Sequence, residues 1–179
     1  MLLVYVLLAV LAIAGVLAAV VASRPSEFTL SRKATINASP SSVFEHVNDF
    51  HKWGGWSPWE KLDPNLKRTY EGPDSGVGAR YSWAGNNQVG EGRMTILESV
   101  PAEKIVIDLE FLKPFAARNT TEFLFTPDGS GTTVTWTMTG KNNFMAKAMG
   151  LLMDMDKMIG GQFEQGLSQM KAVSEGTAE

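Results

Sequence analysis

Along residues 151–174 the apolar positions recur at steps of three and four: Met155, Met158, Ile159, Phe163, Leu167, Met170 and Val173. That period predicts one apolar stripe on a long terminal α-helix. Gly160, Gly161 and Gly166 lie along or beside the stripe, and each costs roughly 1 kcal/mol of helix propensity relative to alanine. Small residues on a packed helix imply that something approaches closely, either a curved sheet or a bound ligand. Upstream, the period changes to two. Residues 27–37 place Phe28, Leu30, Ala34 and Ile36 on one face of a strand. Arg32 falls on the same face and interrupts it, which suggests a sheet edge or a cavity mouth.

Between these ends the chain alternates short elements with turns. Ser39-Pro40 opens a helix with Ser39 as N-cap and Pro40 in the first turn, and Val43, Phe44 and Val47 form its apolar side. A further helical turn near residues 49–52 leads into Trp53-Gly54-Gly55-Trp56-Ser57-Pro58-Trp59, which reads as a structured loop. Strands follow at residues 66–71, 79–84 (Ala79, Tyr81 and Trp83 on one face) and 89–100 (Met94, Ile96). Ile105, Ile107, Leu109 and Phe111 alternate in the next, and Phe123 and Phe125 share a face in the one after. In residues 133–139 threonine alternates with Val134, Trp136 and Met138, as in a half-buried strand. Residues 142–152 read as a helical lead-in. Hairpin connections and segregated helices predict an α+β fold: a curved seven-stranded antiparallel sheet wrapped around the long C-terminal helix, with two short helices after the first strand.

The first 22 residues alter this picture. Residues 2–22 carry no charge and one polar group, the Tyr5 phenol, and a run of that length spans a hydrocarbon layer of about 30 Å as a helix. A cleaved signal peptide is the rival reading, with Val20-Val21-Ala22 as its cleavage site. No positive n-region follows Met1, however, and the apolar run is longer than such segments carry. The organisation expected is an anchor at 1–23, a linker at 24–26, one domain at 27–174 and a disordered tail at 175–179. Arg24, Arg32 and Lys33 follow the span and no Lys or Arg precedes it, which favours a cytoplasmic domain. Net charge is −3 without basic clusters, so nucleic acid is not an expected partner. The absence of cysteine removes disulfides, thiolate metal sites and cysteine nucleophiles.

With these elements in place the chain resembles the START-like helix-grip proteins (the SRPBCC superfamily), in their polyketide cyclase/dehydrase branch. The resemblance rests on Ala34-Thr35-Ile36-Asn37-Ala38-Ser39-Pro40 with Val43-Phe44 and Val47-Asn48-Asp49, on Trp53 and Trp56-Ser57-Pro58-Trp59, on Pro101-Ala102-Glu103-Lys104-Ile105, and on the 131–136 strand. It covers about residues 27–174. It implies a cavity between the sheet and the terminal helix that takes an apolar molecule, and it carries over no catalytic residue.

The inward faces supply the lining expected of such a cavity: Trp56, Trp59, Tyr81, Trp83, Met94, Phe111, Trp136, Met138, Met158 and Phe163. Any one of them also suits an ordinary core. The Trp53/Trp56/Trp59 loop reads as part of the fold, with a lid or bilayer-touching entrance as its alternative, and Pro114-Phe115 forms a second apolar loop. Glu91 and Glu98 are acidic candidates for an interior polar group. No catalytic constellation stands out: Gly129-Ser130-Gly131 lacks the nucleophile-elbow spacing, and no phosphate-binding loop is present. His46, Asp49 and His51 lack metal-ligand spacing, so neither a metal nor a cofactor is expected. Asn119-Thr120-Thr121 matches a glycosylation sequon. The function expected is membrane-tethered binding of a lipid or other hydrophobic small molecule. The alternatives are a cyclase- or hydratase-type enzyme using Glu91 with Tyr81 or His46, and a protein-interaction module marked by an exposed apolar patch.

Overall fold

In the computed structural model, which describes residues 1–177, α1 (Leu2–Ala22) is followed by β1 (Glu27–Ile36) and α2 (Pro40–Asn48). Two 3₁₀ turns, Phe50–Gly55 and Pro58–Lys61, come next. Six strands then run from β2 (Lys67–Glu71) through β3 (Arg80–Ala84), β4 (Glu91–Val100), β5 (Lys104–Lys113) and β6 (Ala117–Asp128) to β7 (Gly131–Lys141). The last two helices are α3 (Phe144–Leu152) and α4 (Met155–Ser174). The sheet is antiparallel throughout in the order β1-β7-β6-β5-β4-β3-β2. β1, the strand interrupted by Arg32, is an edge.

Local chemistry sets the boundaries. Ser39 accepts the Ser42 N–H at the start of α2, as its N-cap position requires. The tryptophan-rich stretch, expected as an irregular loop, winds instead into the two 3₁₀ turns, because Trp53 and Trp56 donate their indole N–H groups to the carbonyls of Val47 and His46 in α2. The terminal helix starts later than residue 151. Met153 is extended, and the Asp154 carboxylate caps a new helix by accepting the Lys157 N–H. Glu175, Gly176 and Thr177, expected in a disordered tail, close α4: the Thr177 N–H bonds the Ala172 carbonyl and Gly176 takes a positive φ. The rest of that tail, residues 178–179, lies outside the described residues.

The sheet bends because its ladder is irregular. Between β4 and β5 the register shifts at Glu91/Gly92 and again at Ile96/Glu98, and such bulges sharpen local curvature. The concave face holds α2 and α4. Its core is Ile36, Val43, Val47, Trp56, Ile105, Ile107, Phe123, Val134, Leu167 and Met170, all nearly inaccessible to water. The convex face is polar and carries ion pairs such as Arg118–Asp108 (2.8 Å) and Arg93–Glu110 (2.6 Å).

Two glycines explain how α4 sits. A Cβ on Gly160 would collide with the guanidinium of Arg32, and one on Gly166 would lie 3.0 Å from the Trp136 ring. Arg32 therefore crosses α4 at Gly160 and pairs with Asp156 (2.8 Å) and Glu164 (2.7 Å). This accounts for a charged residue on the inward face of β1. Gly161 faces open space.

Hydrogen bonding from Arg32 holds the Asp156 carboxyl below its ordinary range, and at the other end of α4 the Asn37 N–H and Lys171 do the same for Glu175. A carboxyl with a lowered folded pKa stabilises the fold above its unfolded pKa and loses that contribution as pH falls through the folded value. The melting temperature should therefore drop on going from about pH 5 to about pH 3, and the double variant Asp156→Asn, Glu175→Gln should flatten that drop. Parallel acid limbs in the two proteins would refute the assignment.

Candidate functional site

The register of the sheet decides where the concave face is filled. Five cross-strand rows point toward the helices. From one end they are Trp83–Gly92–Phe111–Ala117; then Tyr81–Met94–Leu109–Asn119–Gly140–Phe28; then Ile96–Ile107–Thr121–Met138–Leu30; then Ile105–Phe123–Trp136–Arg32; and last Phe125–Val134–Ala34. α2 packs on β5, β6 and β7 and its apolar side is buried there, as is the C-terminal half of α4. The last row is consequently solid, and the fourth meets the cavity at Trp136.

The first three rows face the N-terminal half of α4 and the 3₁₀ turns, and a cavity of about 350 Å³ remains between them. Its walls are mostly aromatic and apolar. Tyr81, Trp83, Met94, Leu109, Phe111, Met138 and Trp136 come from the sheet, Met155, Ile159 and Phe163 from α4, and Trp53 and Trp59 from the 3₁₀ turns. Ala117 and Phe115 on one side, with Lys141, Asn142 and Ala146 on the other, also border it. At the centre Trp136 stacks on Phe163 (centroids 3.9 Å apart, planes at 8°) and on Phe123 (4.8 Å, 28°), with the edges of Trp56 and Trp59 against it. Its indole nitrogen is buried and has no hydrogen-bond partner among the described residues.

Eight of the ten expected lining residues come together here: Trp59, Tyr81, Trp83, Met94, Phe111, Trp136, Met138 and Phe163. Two do not. Trp56 is wholly buried behind Trp136, where it fills the core. Met158 is 46 % exposed, because it lies to the side of the stripe through Met155, Ile159 and Phe163. The tryptophan loop is an inner wall rather than a lid, with Trp53 and Trp56 almost without access to water.

The acidic and histidine candidates lie elsewhere. Gly92, Met94 and Ile96 point inward, so Glu91 points outward, where it pairs with Lys113 (2.8 Å). Glu98 pairs with Lys104 (2.8 Å). His46 sits on α2 away from the cavity, and burial pushes its imidazole below the ordinary histidine range. His51 bonds Asp49 (2.9 Å) and stacks on Tyr70. Asn119, the first residue of the sequon, is buried in the wall of the cavity and not displayed for modification.

Of the three named catalytic candidates, Tyr81 alone borders the cavity, and its partner there is Glu60. The Tyr81 hydroxyl donates to Glu60 Oε1, and Glu60 Oε2 takes the Arg68 Nε at 2.6 Å. Burial and the hydrogen bond to Glu60 push the Tyr81 phenol far above its ordinary range, so it acts as a neutral donor. Sequence reasoning missed Glu60. Its one signal was an acidic residue directly after an aromatic-rich run, and only the fold brings it 21 positions along the chain to Tyr81.

The sequence model of the family described as "Polyketide cyclase / dehydrase and lipid transport" matches residues 27–175. A search of curated proteins finds no match. Among solved structures, protein CV1439 from Chromobacterium violaceum superposes with a TM-score of 0.59 at 18% identity, over 85% of this chain and 99% of that one. The di-domain ARO/CYC BexL from the BE-7585A biosynthetic pathway gives a TM-score of 0.62 at 17% identity, over 87% of this chain and 52% of that one. Ara h 8.0201 gives 0.59 at 13% identity, over 84% and 99%. At these identities the structures share the fold.

Proposed function

The chain belongs to the polyketide cyclase/dehydrase and lipid transport family, and from that premise we propose that it is a membrane-tethered domain that binds a lipid or other hydrophobic small molecule between the sheet and α4. The cavity carries the proposal. Its volume of about 350 Å³ lies in the range of about 300–1,000 Å³ typical of small-molecule sites, and its wall is apolar with few polar groups, as such sites are. Met94, Met138 and Met155 give that wall side chains that repack around different guests. The tether is supported by α1, 21 residues of apolar surface of which only Val21 is buried among the described residues. Arg24, directly after it, favours the cytoplasmic side.

The test is native mass spectrometry of the full chain from a mild detergent, followed by solvent extraction. A stoichiometric apolar molecule that survives dilution is expected; an empty chain that also fails to take up N-phenyl-1-naphthylamine refutes the binding reading. Release of the chain from membranes by alkaline carbonate refutes the tether.

A cyclase-type reaction is the second reading, favoured by Glu60 and Tyr81 in the cavity wall. BexL, an ARO/CYC of a biosynthetic pathway, shares the fold. In that reading Glu60 is the base and Tyr81 the neutral donor. It predicts that the bound molecule changes in mass on incubation and that Glu60→Gln stops the change; a molecule recovered unaltered decides for binding alone.

A further inference from the structure

Several large apolar side chains that the core leaves unused lie on two elements that border the cavity. Among the described residues α3 buries none of its nine residues, and its Phe144, Met145 and Leu152 are all more than half exposed. Phe115, in the turn between β5 and β6, is 60 % exposed. Contiguous exposed apolar surface marks an interaction site. The same two elements border the cavity, through Ala146 and Phe115. This face is therefore the rim of the opening.

The rim adjoins the end of α1. Lys147 of α3 donates to the Ala22 carbonyl (3.4 Å) and to Ser26 Oγ (2.9 Å). Ala22 is the last residue of the apolar helix, so the level at which hydrocarbon gives way to headgroups passes beside α3. Arg24 and Lys147 lie at this level, and Lys141 borders the mouth. Cations around an apolar face suit a headgroup layer. A tether this short keeps the face at the bilayer at high effective concentration, whatever soluble partner is present.

We propose that α3 and the β5–β6 turn form a bilayer-docking face, with Phe144, Met145, Leu152 and Phe115 in the interfacial layer of the membrane that holds α1. The cavity then opens onto the lipid phase, and its ligand is an acyl-chain lipid of that leaflet, which enters without crossing water. This inference rests on the tether proposed above.

The chain contains no cysteine, so a single bimane label can be placed at will on the full chain in nanodiscs of phosphatidylcholine and phosphatidylglycerol. Labels go on Val10→Cys in α1, Phe115→Cys, Met145→Cys, and Thr126→Cys on the convex face. Brominated acyl chains are expected to quench the first three several-fold more than the last. If Val10→Cys is quenched while Phe115→Cys and Met145→Cys match Thr126→Cys, the docking face is refuted and the tether stands, and the patch belongs to a protein partner. If Val10→Cys also escapes quenching, both proposals fall. In the same nanodiscs, Phe144→Asp with Met145→Asp, neither of which borders the cavity, should slow uptake of a nitrobenzoxadiazole-labelled phosphatidylcholine at least tenfold, without changing N-phenyl-1-naphthylamine binding in detergent. An unchanged uptake rate overturns entry by this route.

Discussion

Replacing Trp136 by alanine should destabilise the domain by about 3–5 kcal/mol, the usual cost of emptying a site filled by a large aromatic side chain. Trp136 is 3 % exposed, lies between Phe163 and Phe123, and takes the edges of Trp56 and Trp59. Its removal leaves four aromatic rings without a common partner, and each such pair is worth about 0.5–1.5 kcal/mol beyond burial. An opposing effect exists. The indole N–H is buried without a partner, and removing an unsatisfied donor returns about 1–3 kcal/mol. Burial and stacking together exceed that return, so the net effect remains a large loss. Trp136→Phe separates the two contributions, since it keeps a stacked ring and deletes the N–H, and it should cost clearly less than Trp136→Ala. Urea unfolding of the full chain in a mild detergent, followed by far-ultraviolet circular dichroism, measures both. A loss below about 1 kcal/mol for Trp136→Ala would mean that the aromatic stack does not organise the core.

The elements were legible because each rests on a local rule. Steps of three and four set α4, alternation sets β5 and β7, and Ser39-Pro40 sets the start of α2. The position of the cavity was not legible, because it depends on which residues stand side by side across five strands. Alternation says that Leu109 and Asn119 each occupy one face of their strands; only the register makes them neighbours over an unfilled space. Met158 was misplaced for a geometric reason. At about 100° per residue it lies more than a quarter turn from the line through Ile159, Phe163 and Met170, although its spacing from Met155 is helical. Trp56 was misplaced because a tryptophan beside a cavity and one behind its wall have the same composition and the same neighbours in sequence. Glu60 has no partner within reach along the chain, and its role follows from tertiary structure alone.

Arg32 shows the opposite case. Its break in the alternation of β1 pointed to an edge or a mouth, and the strand is an edge with the guanidinium carried across Gly160 to Asp156 and Glu164. That clamp ties β1 to the N-terminal half of α4. This is the half that covers the cavity and packs no core against the sheet's first rows. Holding it with exposed charges rather than apolar side chains leaves the space beneath unfilled. A glycine and an ion pair thus do what two more large residues would otherwise do, and the domain retains a void at one end of a face that is solid at the other.

Filling that void should abolish binding with little effect on stability. Ala117 begins β6, borders the cavity opposite α3 and is exposed. It stands in the row with Trp83, Gly92 and Phe111, so an indole there projects across the opening. Ala117→Trp is expected to weaken N-phenyl-1-naphthylamine binding at least tenfold, equivalent to about 1.4 kcal/mol. Its stability should stay within about 0.5 kcal/mol of the parent, as for other substitutions at exposed positions. Thr126→Trp supplies the control: it lies on the same strand, exposed on the convex face, and should bind like the parent. Fluorescence titration of the three proteins at equal detergent concentration makes the comparison. If Ala117→Trp binds as tightly as Thr126→Trp, the probe sits somewhere other than the space between the sheet and α4, because an indole at the mouth leaves no route into that space.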